Sequence, residues 1–398
     1  MKRVVVGLSG GVDSSVAAYL LKEQGYDVIG MFMINWHETT GTLAGDCPWH
    51  DDLIFAELVA RKLDIPFKTV DFSEQYGQRV VDYMFSEYQK GRTPNPDVLC
   101  NREVKFDLFA KAAMELGADY VATGHYCRKE TITKAGKEVY RLLAGTDPSK
   151  EQSYFLCQVT QEQLRTALFP IGHLYKSDIR QIAREQDLVT AEKKDSQGIC
   201  FVGKIDLPTF LQQKLQAKNG IVIEIDKNSP DNPVANRPEI GKDYIEEELL
   251  AFAEHPFYTK QMGFQAGEHN GAHFYTIGQR KGLNIGGRAE PLFVLSIDVI
   301  ENVVYVGQGH DHPGLNRFGL FIAENEIHWV RPDLEIHPGE KRLFKVRIRY
   351  RQPLQDACLY RTEHGMYILF DKPQRGVTSG QFAAWYGEDE LIGSGTIS

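Results

Sequence analysis

The sequence predicts an α/β protein in three units: an N-terminal domain with a mostly parallel sheet (1–205), a small central β-containing domain (206–290) and a C-terminal antiparallel β-barrel (291–398). Three observations predict it. Apolar runs alternate with helix-period segments through the first unit, as in a sheet whose crossovers are helices. The first run, KRVVVGL, is apolar almost throughout, the pattern of a parallel strand covered on both faces. From about Pro291 the chain changes to short alternating strands separated by turn signals, among them PLFVLSIDVIENVVYVG, KRLFKVRIRYR and DACLYRTEHGMYILFD.

In chain order, Val12, Val16, Ala17, Leu20 and Leu21 recur at helical spacing after the first strand, with Gly25 as the stop. DVIGMFM is a second strand. A helix is predicted near 52–62, a strand at FKTVDF, helices over 73–88 and 101–116, and a strand at ADYVATGH. Ligands of such sheets bind beyond the carboxyl ends of the strands, where the 9–14 loop and the TGH of Thr123–His125 both fall. Between 219 and 260 the chain mixes a short strand, a Pro/Asn-rich segment and an acidic helix, DYIEEELLAFAEH.

At 398 residues the chain is long enough for two or three domains. No apolar run approaches the ~20 residues of a membrane span, and no secretory leader pattern follows Lys2 and Arg3, so a cytoplasmic protein is expected. Its formal net charge of -9 argues against blanket nucleic-acid binding and leaves room for a local basic patch. The six cysteines (47, 100, 127, 157, 200 and 358) form no CxxC pair, so no zinc site is expected. Each is a small apolar residue or a reactive thiol.

The stretch VVVGLSGGVDSS places a glycine-rich turn between strand and helix. A Walker A loop would carry a lysine for the terminal phosphates; here Asp13 stands nearby instead. What remains is backbone N–H from Ser9, Gly10 and Gly11, the hydroxyls of Ser14 and Ser15, and a helix N-terminus that favours an anion. Without a lysine, the charge of a bound phosphate is expected to be met by backbone, hydroxyls and magnesium. A tight turn with Asp13 or Ser14 as helix cap is the plainer alternative.

Two further segments carry chemistry. In GRTPNPDVLCNREVKFD the prolines imply an extended loop and place Cys100 just before a helix, where the dipole favours a thiolate, with Asp97 as a candidate acid or base. A buried thiol and an Asx-turn are the alternatives. In KKDSQGICFVG, Cys200 follows a polar, glycine-bearing turn; a strand cysteine is the equal alternative. In KVRIRYR, Lys345, Arg347, Arg349 and Arg351 alternate with Val346, Ile348 and Tyr350. Residues two apart share a strand face, so four cations would face RNA phosphate or plain solvent. Arg280, Lys281 and Arg288 form a second candidate patch.

Taken together, GLSGGVDSS, FMINW, TPNPDVLCNREVKF, ADYVATGHY, KEQSYFL, KKDSQGICFVG, HFYTIGQRKGLNIGG, RYRQ and VTSGQ resemble, in order, the bacterial tRNA-specific 2-thiouridylases of the PP-loop ATP pyrophosphatase superfamily. That resemblance implies the following. ATP, with Mg2+, adenylates the 2-carbonyl of the wobble uridine in the anticodon loop. Gly7, Leu8, Ser9, Gly10, Gly11, Val12, Asp13, Ser14, Met33 and Gly124 would contact the nucleotide, and no resident metal is expected. Cys200 would take sulfur as a persulfide from a sulfur-carrier protein or cysteine desulfurase. Cys100 would release or resolve it, leaving a Cys100–Cys200 disulfide for reduction, with Asp97 alongside. Asn95, Pro96 and Asp97 would meet the target base. His125, Lys150, Glu151, Gln152, Arg349, Tyr350 and Gln381 would touch tRNA. Against the family pattern, 227–265 reads as an insertion with its own acidic helix.

Overall fold

The computed structural model describes residues 1–37, 49–195, 207–230, 232 and 237–398. The N-terminal sheet consists of β1 (Arg3–Gly7), β2 (Asp27–Ile34), β3 (Phe67–Asp71), β4 (Tyr120–Ala122) and β7 (Ala167–Leu168), all parallel, in the order β3-β2-β1-β4-β7. The chain builds outward from β1 through β2 to β3 and then resumes on the other side of β1 with β4. The ends of β1 and β4 therefore flank the switch point, the crevice where such sheets bind ligands. Val4, Val5 and Val6 are fully buried, as the continuous apolar run requires.

The hairpin of β5 (Cys127–Lys134) and β6 (Lys137–Ala144) leaves this sheet altogether. Leu142 and Leu143 pair with Leu391 and Glu390 of β18 (Glu390–Thr396), so the hairpin extends the C-terminal sheet. That sheet runs β12-β16-β15-β14-β17-β18-β6-β5, with β13 (Ile327–Trp329) against β18. Its own strands are β12 (Asn316–Ala323), β14 (Lys341–Arg347), β15 (Gln355–Arg361), β16 (Gly365–Arg375) and β17 (Phe382–Gly387). Val346, Leu359, Ile368, Phe370 and Trp385 fill the interior.

Two expectations about boundaries change. The segment read as opening the terminal barrel, β10 (Leu292–Asp298) and β11 (Val303–Gln308), pairs instead with β8 (Gly220–Ile225), which pairs with β9 (Phe264–His269). The change of sheet therefore falls beyond Gln308 and not at Pro291. Alternation marks a strand but does not name its partner. The acidic helix Glu246–Ala253, placed by sequence in the central unit, lies on the outside of the terminal barrel. There Leu249 and Ala253 pack against Tyr360, Tyr367 and Leu369.

The helix expected from Asn101 starts earlier, at Pro96, and runs on to Glu115. Asn95 caps it by accepting from the Val98 amide at 3.3 Å, and Pro96 fits the first helical position because its missing N–H has no partner to lose there. From Cys100 to Leu108 the hydrogen bonding widens to the π type, a local overwidening frequent at functional sites.

Candidate nucleotide and thiol site

The loop after β1 is held from within. The Ser9 amide donates to Ser14 Oγ at 3.1 Å, and the Ser14 hydroxyl reaches the Gly11 carbonyl at 3.1 Å. Gly10 adopts φ +72°, and a Cβ there would stand 2.2 Å from the Asp52 carbonyl oxygen. The position therefore needs glycine for both conformation and space. Gly124, just past β4, lies against the loop so closely that a Cβ would be 2.8 Å from the Ser14 nitrogen. The two segments thus meet at the switch point. Leu8 and Val12 point into the core and leave only backbone for a ligand. Met33 is buried, and its methyl group lies near the space over Gly7.

Two lysines from distant parts of the chain stand at this loop, which carries none of its own. Lys176, first residue of the helix Lys176–Glu185, reaches Asp13 with its Nζ 2.8 and 2.9 Å from the two carboxylate oxygens. Tyr126 donates to the same carboxylate at 2.6 Å; burial and the adjacent Asp13 push its phenol pKa far up. Lys193 donates to the Gly10 carbonyl at 3.0 Å and pairs with Asp52. Lys176 also pairs with Asp195 at 2.8 Å. Lys176 and Lys193 are largely buried at 15% and 20% exposure, so their charges act in a medium that screens less than water. The KKDSQ string displayed Lys193 and Asp195 without a role, and nothing in LYKSDI singled out Lys176.

Cys100 is fully buried and packs in the core that contains Met33, Leu99, Phe109 and Tyr154. It lies four residues inside the helix rather than just before it, beyond the first turn where unsatisfied amides concentrate the dipole. Asp97 is the residue in that first turn. Asn101 ties the helix to the following segment, donating to the Asp97 carbonyl and to the Phe155 carbonyl, both at 3.0 Å. Cys200 and Cys47 lie outside the described residues. Cys127, Cys157 and Cys358 are buried, and burial raises all three thiol pKa values, that of Cys157 to about 12, which makes them poor nucleophiles at neutral pH.

Among the candidate RNA positions, Asn95 with Gln381, Glu151 and Tyr350 make contacts between the N-terminal unit and the terminal barrel, while His125, Lys150 and Gln152 bond within the N-terminal unit. Gln381 donates to the Thr93 carbonyl at 2.8 Å and the Pro94 carbonyl at 3.2 Å, and Asn95 donates back to it at 3.4 Å. Gln152 accepts from the Tyr126 amide at 3.0 Å. Lys150 pairs with Asp195 at 2.7 Å. Tyr350 packs on Phe155 with ring centroids 4.3 Å apart. His125 is buried, shares a hydrogen bond with Thr123 at 2.7 Å and lies among Phe106 and Phe169; burial holds its pKa well below the usual value, so the ring is neutral. Glu151 is also buried, joined to Arg347 at 2.7 Å.

The expected face of four free cations does not form. The strand stops at Arg347, which Glu151 takes up, while Lys345 pairs with Asp356 at 2.9 Å. Arg349 donates to the carbonyls of Arg375 and Gly376. In the second patch Arg288 pairs with the buried Glu224 at 2.6 Å, leaving Arg280 and Lys281 exposed. Alternation could not anticipate these acids because they come from elsewhere in the chain.

Residues 2–204 match the family model described as tRNA methyl transferase HUP domain, 242–308 a tRNA methyl transferase PRC-barrel domain, and 321–397 an aminomethyltransferase beta-barrel domain. The chain is 60% identical over the full length of both chains to the tRNA-specific 2-thiouridylase MnmA of Christiangramia forsetii. It is 59% identical, again over both full lengths, to the protein of the same name from Flavobacterium johnsoniae. It is 46% identical to that of Karelsulcia muelleri, over 100% of this chain and 99% of the other. Among the described residues no helix is long and apolar enough to cross a membrane.

Proposed function

The chain belongs to the tRNA-specific 2-thiouridylase family, ATP-using enzymes that thiolate tRNA, and on that premise we propose how its own residues carry the reaction. The observation that supports the reading best is the meeting of the Ser9–Ser14 loop with Gly124 at the switch point, beside a core that contains Cys100. The loop amides, the Ser14 hydroxyl, and Lys176 and Lys193 behind them suit the pyrophosphate part of ATP. Magnesium arrives with the nucleotide: Asp13 is already engaged by Lys176 and Tyr126.

In the proposed sequence, the 2-carbonyl oxygen of the wobble uridine attacks the α-phosphorus and pyrophosphate leaves. Asn95, Pro96 and Asp97 hold the base, which is cheap to unstack in an anticodon loop. A Cys200 persulfide, loaded by a cytoplasmic sulfur-carrier protein or cysteine desulfurase, supplies sulfur to C2 as AMP departs. Cys100 either frees that sulfur as hydrosulfide or resolves the mixed disulfide. Both routes form a Cys100–Cys200 disulfide, which an added reductant returns to two thiols. His125, Lys150, Glu151, Gln152, Arg349, Tyr350 and Gln381 shape the tRNA face. Buried Glu151 and His125 do so by holding the surface rather than by reaching RNA phosphate.

Incubation with wobble-uridine tRNA, Mg-ATP, persulfide and reductant should yield AMP, pyrophosphate and 2-thiouridine in equal amounts. Undiminished thiolation by a Cys100→Ala/Cys200→Ala protein would overturn the sulfur route.

A further inference from the structure

The residues that lead toward Cys200 are fastened to the nucleotide loop at two separate points. Lys193 reaches the carbonyl of Gly10 at 3.0 Å. Asp195 reaches the same loop through Lys176, whose ammonium sits between Asp195 at 2.8 Å and Asp13 at 2.8 Å. Asp195 also binds Lys150 at 2.7 Å and Arg180 at 3.0 Å. One carboxylate therefore gathers three cations from two segments: Lys176 and Arg180 from the first two turns of one helix, and Lys150 from the stretch that carries the candidate tRNA residues. An isolated pair at this exposure would contribute little. Several charges sharing one carboxylate form a network, in which one ordered side chain serves several contacts. Burial works against its charge, yet the hydrogen bonds from Lys150 and Lys176 hold the Asp195 carboxyl down to about 2, so it is ionised throughout the working range.

We propose that Asp195 is a positioning residue that links the nucleotide loop, the tRNA-facing stretch at Lys150 and the chain five residues ahead of Cys200, so that sulfur transfer depends on it more than adenylation does. This rests on the function proposed above. The asymmetry follows from the connections. Removing the Asp195 charge leaves Lys176 on Asp13, and the loop keeps its internal hydrogen bonds. What is lost is one of the two ties between that loop and the approach to Cys200, together with the link to Lys150, while Lys193 stays on Gly10.

The test separates the two half-reactions in the full-length enzyme, with the persulfide donor and tRNA present, by reading the first-turnover burst of pyrophosphate and the 2-thiouridine formed. For Asp195→Asn the burst should remain within about threefold of wild type while 2-thiouridine formation falls at least about tenfold. Asp195→Glu, which keeps the charge, should recover most of it. Thermal melting of both variants identifies any general loss of folding. A parallel fall of burst and product in a variant that melts like wild type would overturn the proposal, as would unchanged product. If Asp195→Asn melts well below wild type, Arg180→Met and Asp195→Glu decide by the same ratio. A Cys200→Ala protein that still thiolates would instead overturn the reading of function.

Discussion

Arg347 donates to Glu151 across 2.7 Å, joining residues 196 apart in sequence at the seam between the N-terminal unit and the terminal barrel. Both side chains are nearly excluded from water, and the guanidinium lies over the Tyr386 ring at 4.9 Å. Removing one partner of a buried pair strands the other charge and costs about 3–5 kcal/mol. Arg347→Met should lower the urea midpoint accordingly. Adding Glu151→Gln should restore much of the loss, since it removes the stranded charge.

Gly10→Ala should abolish nucleotide binding. The methyl group would meet the Asp52 carbonyl, and the φ of +72° adds strain of about 1–3 kcal/mol. Titration calorimetry with a non-hydrolysable ATP analogue reads it directly. Wild-type affinity in the variant would mean that the loop does not hold the phosphates in this conformation.

Gln381→Leu should raise the tRNA KM severalfold and leave the ATP KM unchanged. It strands the Thr93 and Pro94 carbonyls, at about 1–3 kcal/mol for a buried group left unpaired, and so loosens the stretch before Asn95–Asp97. Steady-state kinetics with each substrate varied in turn distinguishes the two constants.

Stability should rise with pH between about 4 and 6.5, partly through His255. Burial, and then the nearby Arg317 guanidinium, depress its pKa from 6.5 to about 4. Between those values the unfolded chain binds more protons than the native one, so the contribution is complete above the unfolded pKa and lost as pH falls through the folded one. His255→Gln should flatten the rise in melting temperature over that window. An unchanged slope would assign the effect to other groups.

The strength of sequence reading varied with the range of the interaction. β1, the loop and the helix after it were legible because a buried strand, two glycines and a periodic helix are contiguous. The start of the Cys100 helix was misjudged because prolines were read as loop, although Asn-Pro is also a cap followed by a first helical residue. The strand read through KVRIRYR was recognised only as far as Arg347, and its charge partners were not, since Glu151 approaches Arg347 only through the fold.

The sequence by itself determined the α/β class, the glycine-rich loop between the first strand and helix, the segments bearing Cys100 and Asp97, and the family, because each is written in residues near one another along the chain. Only the tertiary structure decided that β5 and β6 join the terminal sheet, that β10 and β11 join the middle one, and that Lys176 and Lys193 stand at a loop with no lysine of its own. The physical reason is the same in each case. Strand pairing and charge pairing are satisfied by whatever partner the packed core brings within a few ångströms, and that partner leaves no mark on the local sequence.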